Sequence, residues 1–152
     1  NMRARSMKIG DLAVHKVATI PSGTSLLNCA KEMRELHVGS LVVVDENERP
    51  IGMLTDRDIT IEVVALEKDI KTLVVDEVMS APVSVAHSSE GVVDALARMR
   101  EQGIRRLPVV DEEGKISGIV TASNIVEELS VMLDSIVRAV KSSKTREIAQ
   151  RP

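Results

Sequence analysis

Apolar positions along the chain alternate between strand-like runs and helical spacing, and the whole alternation occurs twice. A short run at 17–20 gives way to a polar break, after which Leu26, Leu27, Ala30 and Met33 recur at the spacing of one helix face. Two apolar runs follow, 41–44 and 51–54, separated by the charged turn 45–49, and a further helix is expected after Thr55. The second passage reads alike: a run at 83–86, then Val92, Val93, Leu96 and Met99, then runs at 107–110 and 116–120 around the turn 111–115, then a helix after Thr121. Ser22 in the first passage, and Ser88 and Ser89 in the second, stand where a hydroxyl can cap the coming helix. The order strand, helix, strand, strand, helix, repeated, predicts a mixed α/β (α+β) fold.

The repetition is also literal. Shifted by 66 residues, segment 33–59 lies on 99–125 without a gap, and 11 of 27 positions are identical. Met33, Arg34 and Glu35 return as Met99, Arg100 and Glu101, and Gly52 and Thr55 return as Gly118 and Thr121. Each copy is too small to bury a generous core alone, so the two are expected to pack about a pseudo-two-fold axis as one module. The expected boundaries are 8–66 and 73–130, with 131–152 as a helical extension and a polar, frayed tail. In that extension Leu129, Leu133, Ile136 and Val140 form an apolar stripe that suits either the chain's own domain or a sister subunit.

Composition narrows the chemistry. The 152 residues include no Phe, Tyr or Trp, so a ligand ring must be held by aliphatic walls, backbone groups and arginine planes. A formal charge of −3 argues against a nucleic-acid partner, and no apolar run reaches the roughly 20 residues a membrane helix needs. With no signal-peptide pattern at the start, the expected compartment is the cytoplasm. Cys29, the single cysteine, falls on an apolar helix face and reads as a buried packing thiol. His15, His37 and His87 lack metal-ligand spacing, and the acidic groups at 45–48 and 111–113 read as solvated turns rather than acid–base pairs. No nucleophile elbow or glycine-rich phosphate loop is present, so no catalytic residue is assigned.

The stretch Gly39-Ser40-Leu41-Val42-Val43-Val44-Asp45 with Gly52-Met53-Leu54-Thr55-Asp56-Arg57-Asp58 closely resembles the CBS (cystathionine beta-synthase) domains. So does Arg105-Arg106-Leu107-Pro108-Val109-Val110-Asp111 with Gly118-Ile119-Val120-Thr121-Ala122-Ser123-Asn124. The resemblance covers about 8–128 and looks like a stand-alone CBS pair, with no catalytic domain left over. It implies a regulatory module whose two clefts bind AMP, ADP or ATP, or less often S-adenosylmethionine or NAD. It also implies association into homodimers and signalling to a regulated protein partner, with no cofactor required for activity.

From physics alone, Thr55 followed by Asp58 forms a capping box at a helix start. A carboxylate there would repel phosphate but accept two neighbouring hydroxyls, as a ribose supplies, leaving Arg57 to meet the phosphates. The resemblance adds Val38, Gly39 and Ser40 as nucleotide contacts and Val17 as a wall for the base. In the second copy it implies Val83, Ile104, Arg105, Arg106, Pro108, Thr121, Ser123 and Asn124. Asn124 replaces the aspartate and Ser123 the arginine, while Arg105 and Arg106 stand where the first copy has Gly39 and Ser40. Two unequal pockets are therefore expected, with the better ribose grip at Thr55 and Asp58, and Arg105 and Arg106 assignable to neither cleft. The competing reading is a dimerisation scaffold with idle pockets.

Overall fold

The computed structural model describes residues 7–150. The first copy contains β1 (Thr19–Pro21), α2 (Leu26–Leu36), β2 (Ser40–Val44) and β3 (Pro50–Thr55), preceded by the short helix α1 (Ile9–Leu12) and followed by α3 (Asp56–Ile59). The second contains β4 (Ala86–His87), α4 (Val92–Gln102), β5 (Arg106–Val110), β6 (Ile116–Thr121) and α5 (Ala122–Gln150). Each copy builds a three-stranded sheet, β1-β2-β3 and β4-β5-β6, with the first pair parallel and the second antiparallel. The fold is mixed α+β, as the hydrophobic pattern predicts.

The repeat survives in three dimensions down to single hydrogen bonds. Leu26 N–H donates to Leu73 O at 2.8 Å and its equivalent Val92 N–H to Met7 O at 3.0 Å; Val75 N–H donates to Thr24 O and Ile9 N–H to Glu90 O, both at 2.8 Å. These bonds also reveal an exchange. The first core gathers Ile20, Leu26, Cys29, Met33, Leu41, Val43, Leu54 and Val63, yet it is completed by Val75 from the segment leading into the second copy. The second core gathers Ala86, Val92, Ala95, Met99, Leu107, Val109, Val120 and Ile125, and is completed by Ile9 from α1. Each copy thus lends its leading segment to the other.

The exchanged segments cross β3 and β6 at the shared glycines. Met53 and Ser80 trade both backbone hydrogen bonds, at 3.0 and 2.9 Å, and Val14 and Ile119 do the same at 2.9 Å each. A Cβ on Gly52 would lie 2.4 Å from Met79 Sδ and 3.1 Å from Ser80 O, and one on Gly118 would lie 2.9 Å from Val14 O. Only a residue without a side chain lets the second backbone come this close.

Several details differ from the sequence pattern. The leading strands begin later than expected, at Thr19 and Ala86, so Val17 and Val83 precede them. The cap of α2 is Ser25, whose Oγ accepts Asn28 N–H at 3.2 Å, and α4 starts at Gly91 with no side-chain cap. Ser22 instead donates to Asp76 Oδ2 at 2.5 Å. After α3 the chain widens into a π-helical stretch, Thr60–Val64, with Ala65 N–H donating to Thr60 O, where β-branched residues crowd a regular helix. The segment 144–150, expected as a frayed tail, continues α5 to Gln150, and Arg151 and Pro152 lie outside the described residues.

β4 is shorter than β1, and Pro108 accounts for it. In the first copy Val42 N–H donates to Ala18 O at 2.9 Å. Its equivalent, Pro108, has no N–H, so this rung is missing and the carbonyl of Ser84 takes no hydrogen bond from the protein.

Candidate functional site

The end of β3 and the first turn of α3 carry Thr55, Asp56, Arg57 and Asp58 to one wall of a cleft of about 690 Å³. The opposite wall comes from the second copy: Val83 and Ser84 ahead of β4, Gly103, Ile104 and Arg105 between α4 and β5, and Arg106 at the start of β5. Ser80 and Pro82, on the crossing segment, close one side with Met53. The cleft therefore lies between the copies, and Arg105 and Arg106, which the sequence could assign to neither pocket, face Thr55 and Asp58.

The capping box is present in full. Asp58 N–H donates to Thr55 Oγ1 at 3.1 Å, and Thr55 N–H donates to Asp58 Oδ2 at 2.9 Å. Asp58 is half-buried, and its second oxygen, Oδ1, has no partner among the described residues. Capping and ligand contact are thus compatible in one side chain. At the equivalent site of the second copy, Asn124 N–H donates to Thr121 Oγ1 at 3.0 Å, and the Thr121 hydroxyl donates to Asn124 Oδ1 at 2.8 Å. The amide oxygen of Asn124 is consumed internally, leaving its NH₂ group.

Gly39 and Asp56 are coupled. Asp56 N–H donates to Gly39 O at 2.9 Å, and a Cβ on Gly39 would meet Asp56 Oδ2 at 3.0 Å. In the second copy Ala122 N–H makes the same bond to Arg105 O, and alanine in place of aspartate leaves room for the Arg105 side chain. A large residue at this point of one copy goes with a small one at the helix start. The cleft accordingly receives arginine from one copy and the acidic helix turn from the other.

Of the residues expected to touch a ligand, Gly39, Thr55, Arg57, Asp58, Val83, Ile104, Arg105 and Arg106 line this cleft. Val17, Val38, Ser40, Thr121, Ser123 and Asn124 do not line it; they occupy the positions related to Val83, Ile104, Arg106, Thr55, Arg57 and Asp58 by the 66-residue shift. Val38 packs on the first core. Pro108 is fully buried within β5 and does not line this cleft. Sequence reasoning missed Met53, Asp56, Ser80, Pro82, Ser84, Gln102 and Gly103, of which Ser84 donates to Gln102 Oε1. The shared glycines were the available signal, since they mark where a crossing segment must approach.

Groups set aside as structural behave so. Cys29 is fully buried, and burial pushes its thiol pKa up, with Asp76 adding to the effect. Asp45 Oδ1 accepts two turn amides, from Asn47 and Arg49, as Asp111 Oδ1 does from Glu113 and Lys115. Asp76 is held below the usual carboxylate range by hydrogen bonds from the Ser22 hydroxyl and the Gly23 amide. Among the described residues no three His, Cys, Asp or Glu side chains are placed to hold a metal ion, and no helix is long and apolar enough to cross a membrane.

Comparison with known proteins bears on the duplicated unit directly. The family model of the CBS domain matches twice, at residues 9–65 and 75–131. The chain belongs to the CBS domain family. An uncharacterized protein of Methanopyrus kandleri is 36% identical over 137 residues, covering 90% of this chain and 70% of its own. The crystal structure of Hypoxic Response Protein I with two coordinated zinc ions has a TM-score of 0.71 at 30% identity, over 80% of this chain and 98% of that one. A CBS domain pair solved in complex with 5-methylthioadenosine and S-adenosyl-L-methionine also has a TM-score of 0.71, at 27% identity, over 83% of this chain and 98% of that one. The two sheets and their helices are thus those of a tandem CBS pair.

Proposed function

We propose that this CBS pair is a regulatory module, not an enzyme, that binds one adenine nucleotide of the AMP, ADP or ATP class in the cleft between its copies. The observation that carries the reading is the convergence of Thr55 and Asp58 from one copy with Arg105 and Arg106 from the other around that cleft. The free Oδ1 of Asp58 accepts the ribose hydroxyls, and Arg57, Arg105 and Arg106 meet the phosphates as planar charged forks. Val83 and Ile104 wall the base, and the unpartnered Ser84 carbonyl suits its amino group. The solved relative with two adenosine-containing ligands supports the ligand class.

Three guanidiniums at one site favour phosphates over the cationic sulfonium of S-adenosylmethionine, and NAD is the less favoured of the dinucleotides and nucleotides considered. A ligand that bridges the copies prefers one relative arrangement of them, and that preference is the signal a partner protein or a dimer mate reads. The setting that suits such a sensor is the cytoplasm, and self-association into a homodimer completes the reading. Titration calorimetry with AMP, ATP, S-adenosylmethionine and NAD tests it. Binding of ATP or AMP in one equivalent, weakened by Arg105→Ala and Arg106→Ala more for ATP than for adenosine, is expected. Absence of binding by all four below millimolar concentration would leave the scaffold reading, with idle pockets, in its place.

A further inference from the structure

From Val126 to Gln150 every residue of α5 is exposed, roughly 37 Å of helix at ~1.5 Å per residue. A lone helix is marginal in water, where most helical stability comes from packing an apolar face. This one has such a face. Val126, Leu129, Leu133, Ile136 and Val140 follow a strict three-four spacing and are 51–62% exposed. The positions beside this seam, Ser130, Met132, Val137 and Ala139, carry no charge, and the ion pair of Arg138 with Asp134, at 2.9 Å, lies on the outer side.

We propose that α5 is a self-association surface on which two copies pair antiparallel, with Leu133 of one facing Ile136 of the other, and Leu129 facing Val140. The inference rests on the self-association in the proposed function and narrows it to one face and one orientation. By symmetry this register stacks four wholly apolar layers. Charge picks the partner and its direction. The first half of the exposed helix carries Glu127, Glu128 and Asp134, a net −3, and the second half carries Arg138, Lys141, Lys144 and Arg146 with Glu147 as its one acid, a net +3. The helix dipole favours such a division only within the terminal turns, whereas Asp134, Arg138 and Lys141 lie well inside the helix. An antiparallel mate sets the acidic half against the basic half and opposes the two dipoles. A parallel mate sets like against like. The helix is therefore complementary to itself reversed, which makes a second copy the fitting occupant. The uncharged flanks also lack the charged ladder that commonly fixes parallel pairs.

Sedimentation velocity on the full chain is the first test: a dimer is expected for the unsubstituted protein and a monomer for Leu133→Asp. Because Leu133 is exposed and belongs to neither core, the module itself should stay folded in the variant, read by continued protection of the buried Cys29 thiol. A dimer that persists in Leu133→Asp overturns the α5 surface while self-association stands; a monomer without any substitution overturns both. Orientation is read by oxidative cross-linking in a Cys29→Ala background. Leu129→Cys mixed with Val140→Cys should give a disulfide-linked dimer, and neither variant alone should. In the proposed register the two 129 positions stand about 11 residues, or roughly 16 Å, apart along the axis, beyond the ~7 Å a disulfide spans. Cross-linking of Leu129→Cys with itself would mean parallel helices and would overturn the proposal.

Discussion

In the proposed function Asp58 divides its two oxygens between fold and ligand, and titration and unfolding of its substitutions read the two roles separately. Asp58→Ala should weaken ATP binding roughly 10- to 100-fold, the range for hydrogen bonds to a charged group, about 1.5–3 kcal/mol. Asn124→Ala, at a position outside the cleft, should leave the same titration unchanged. The alanine also removes half of a capping box, a loss of about 1 kcal/mol in urea unfolding, so affinity is compared where both proteins are folded. Asp76 gives a pH signature instead. Its folded pKa lies below the ordinary value because Ser22 and Gly23 donate to the carboxylate. That stabilisation is complete above the unfolded pKa of about 3.9 and is lost as pH falls through the folded value. The difference in urea midpoint between the natural chain and Asp76→Asn should therefore shrink on acidification below pH 4. Equal differences at neutral and acid pH would show that the contact is inert, as exposure of this carboxylate allows.

At the scale of elements the shared glycines make the sharpest prediction. Gly118→Ala drives a Cβ against the Val14 carbonyl, a piece of backbone, whereas Gly52→Ala first meets the flexible Met79 side chain. Both should destabilise, by about 1–3 kcal/mol, with Gly118→Ala the more costly in urea unfolding. These two positions also mark how far the sequence could be read. Periodicity placed α2, α4 and the paired strands because each buries one face, and the capping box at Thr55 needed only local spacing. What escaped was whatever depends on partners distant in the chain. Nothing local to 79–84 says that Ser80 pairs with Met53, or that Ser84 faces Thr55 and Asp58 across a cleft. Ser22 looked like a cap because a hydroxyl near a helix start usually is one, but Asp76, 54 residues on, claims it. Pro108 came forward as a ligand contact through family resemblance, and what the fold shows of it is the rung its missing N–H removes from the sheet. The difference between the two helix starts was legible as Asp58 against Asn124; the side on which Arg105 and Arg106 fall was not.

For the whole molecule the exchange of leading segments decides cooperativity. With Val75 filling the first core and Ile9 the second, neither copy can lose its structure without opening a gap in the other. One unfolding transition is expected, with circular dichroism and reaction of the buried Cys29 thiol reporting the same urea midpoint; two separated midpoints would refute it. The exchange also has a history written into it. A protein with a single repeat could have closed its core only by borrowing a leading segment from a twin, and would have come apart on dilution. Fusing the twins made the loan internal, held at the high effective concentration of a tethered partner. From then on the two halves no longer had to be the same, and one helix start was free to keep its aspartate, Asp58, while the other carries Asn124. Halves made as separate chains, cut at 66, should accordingly regain their fold only when mixed, and the more so the higher the concentration.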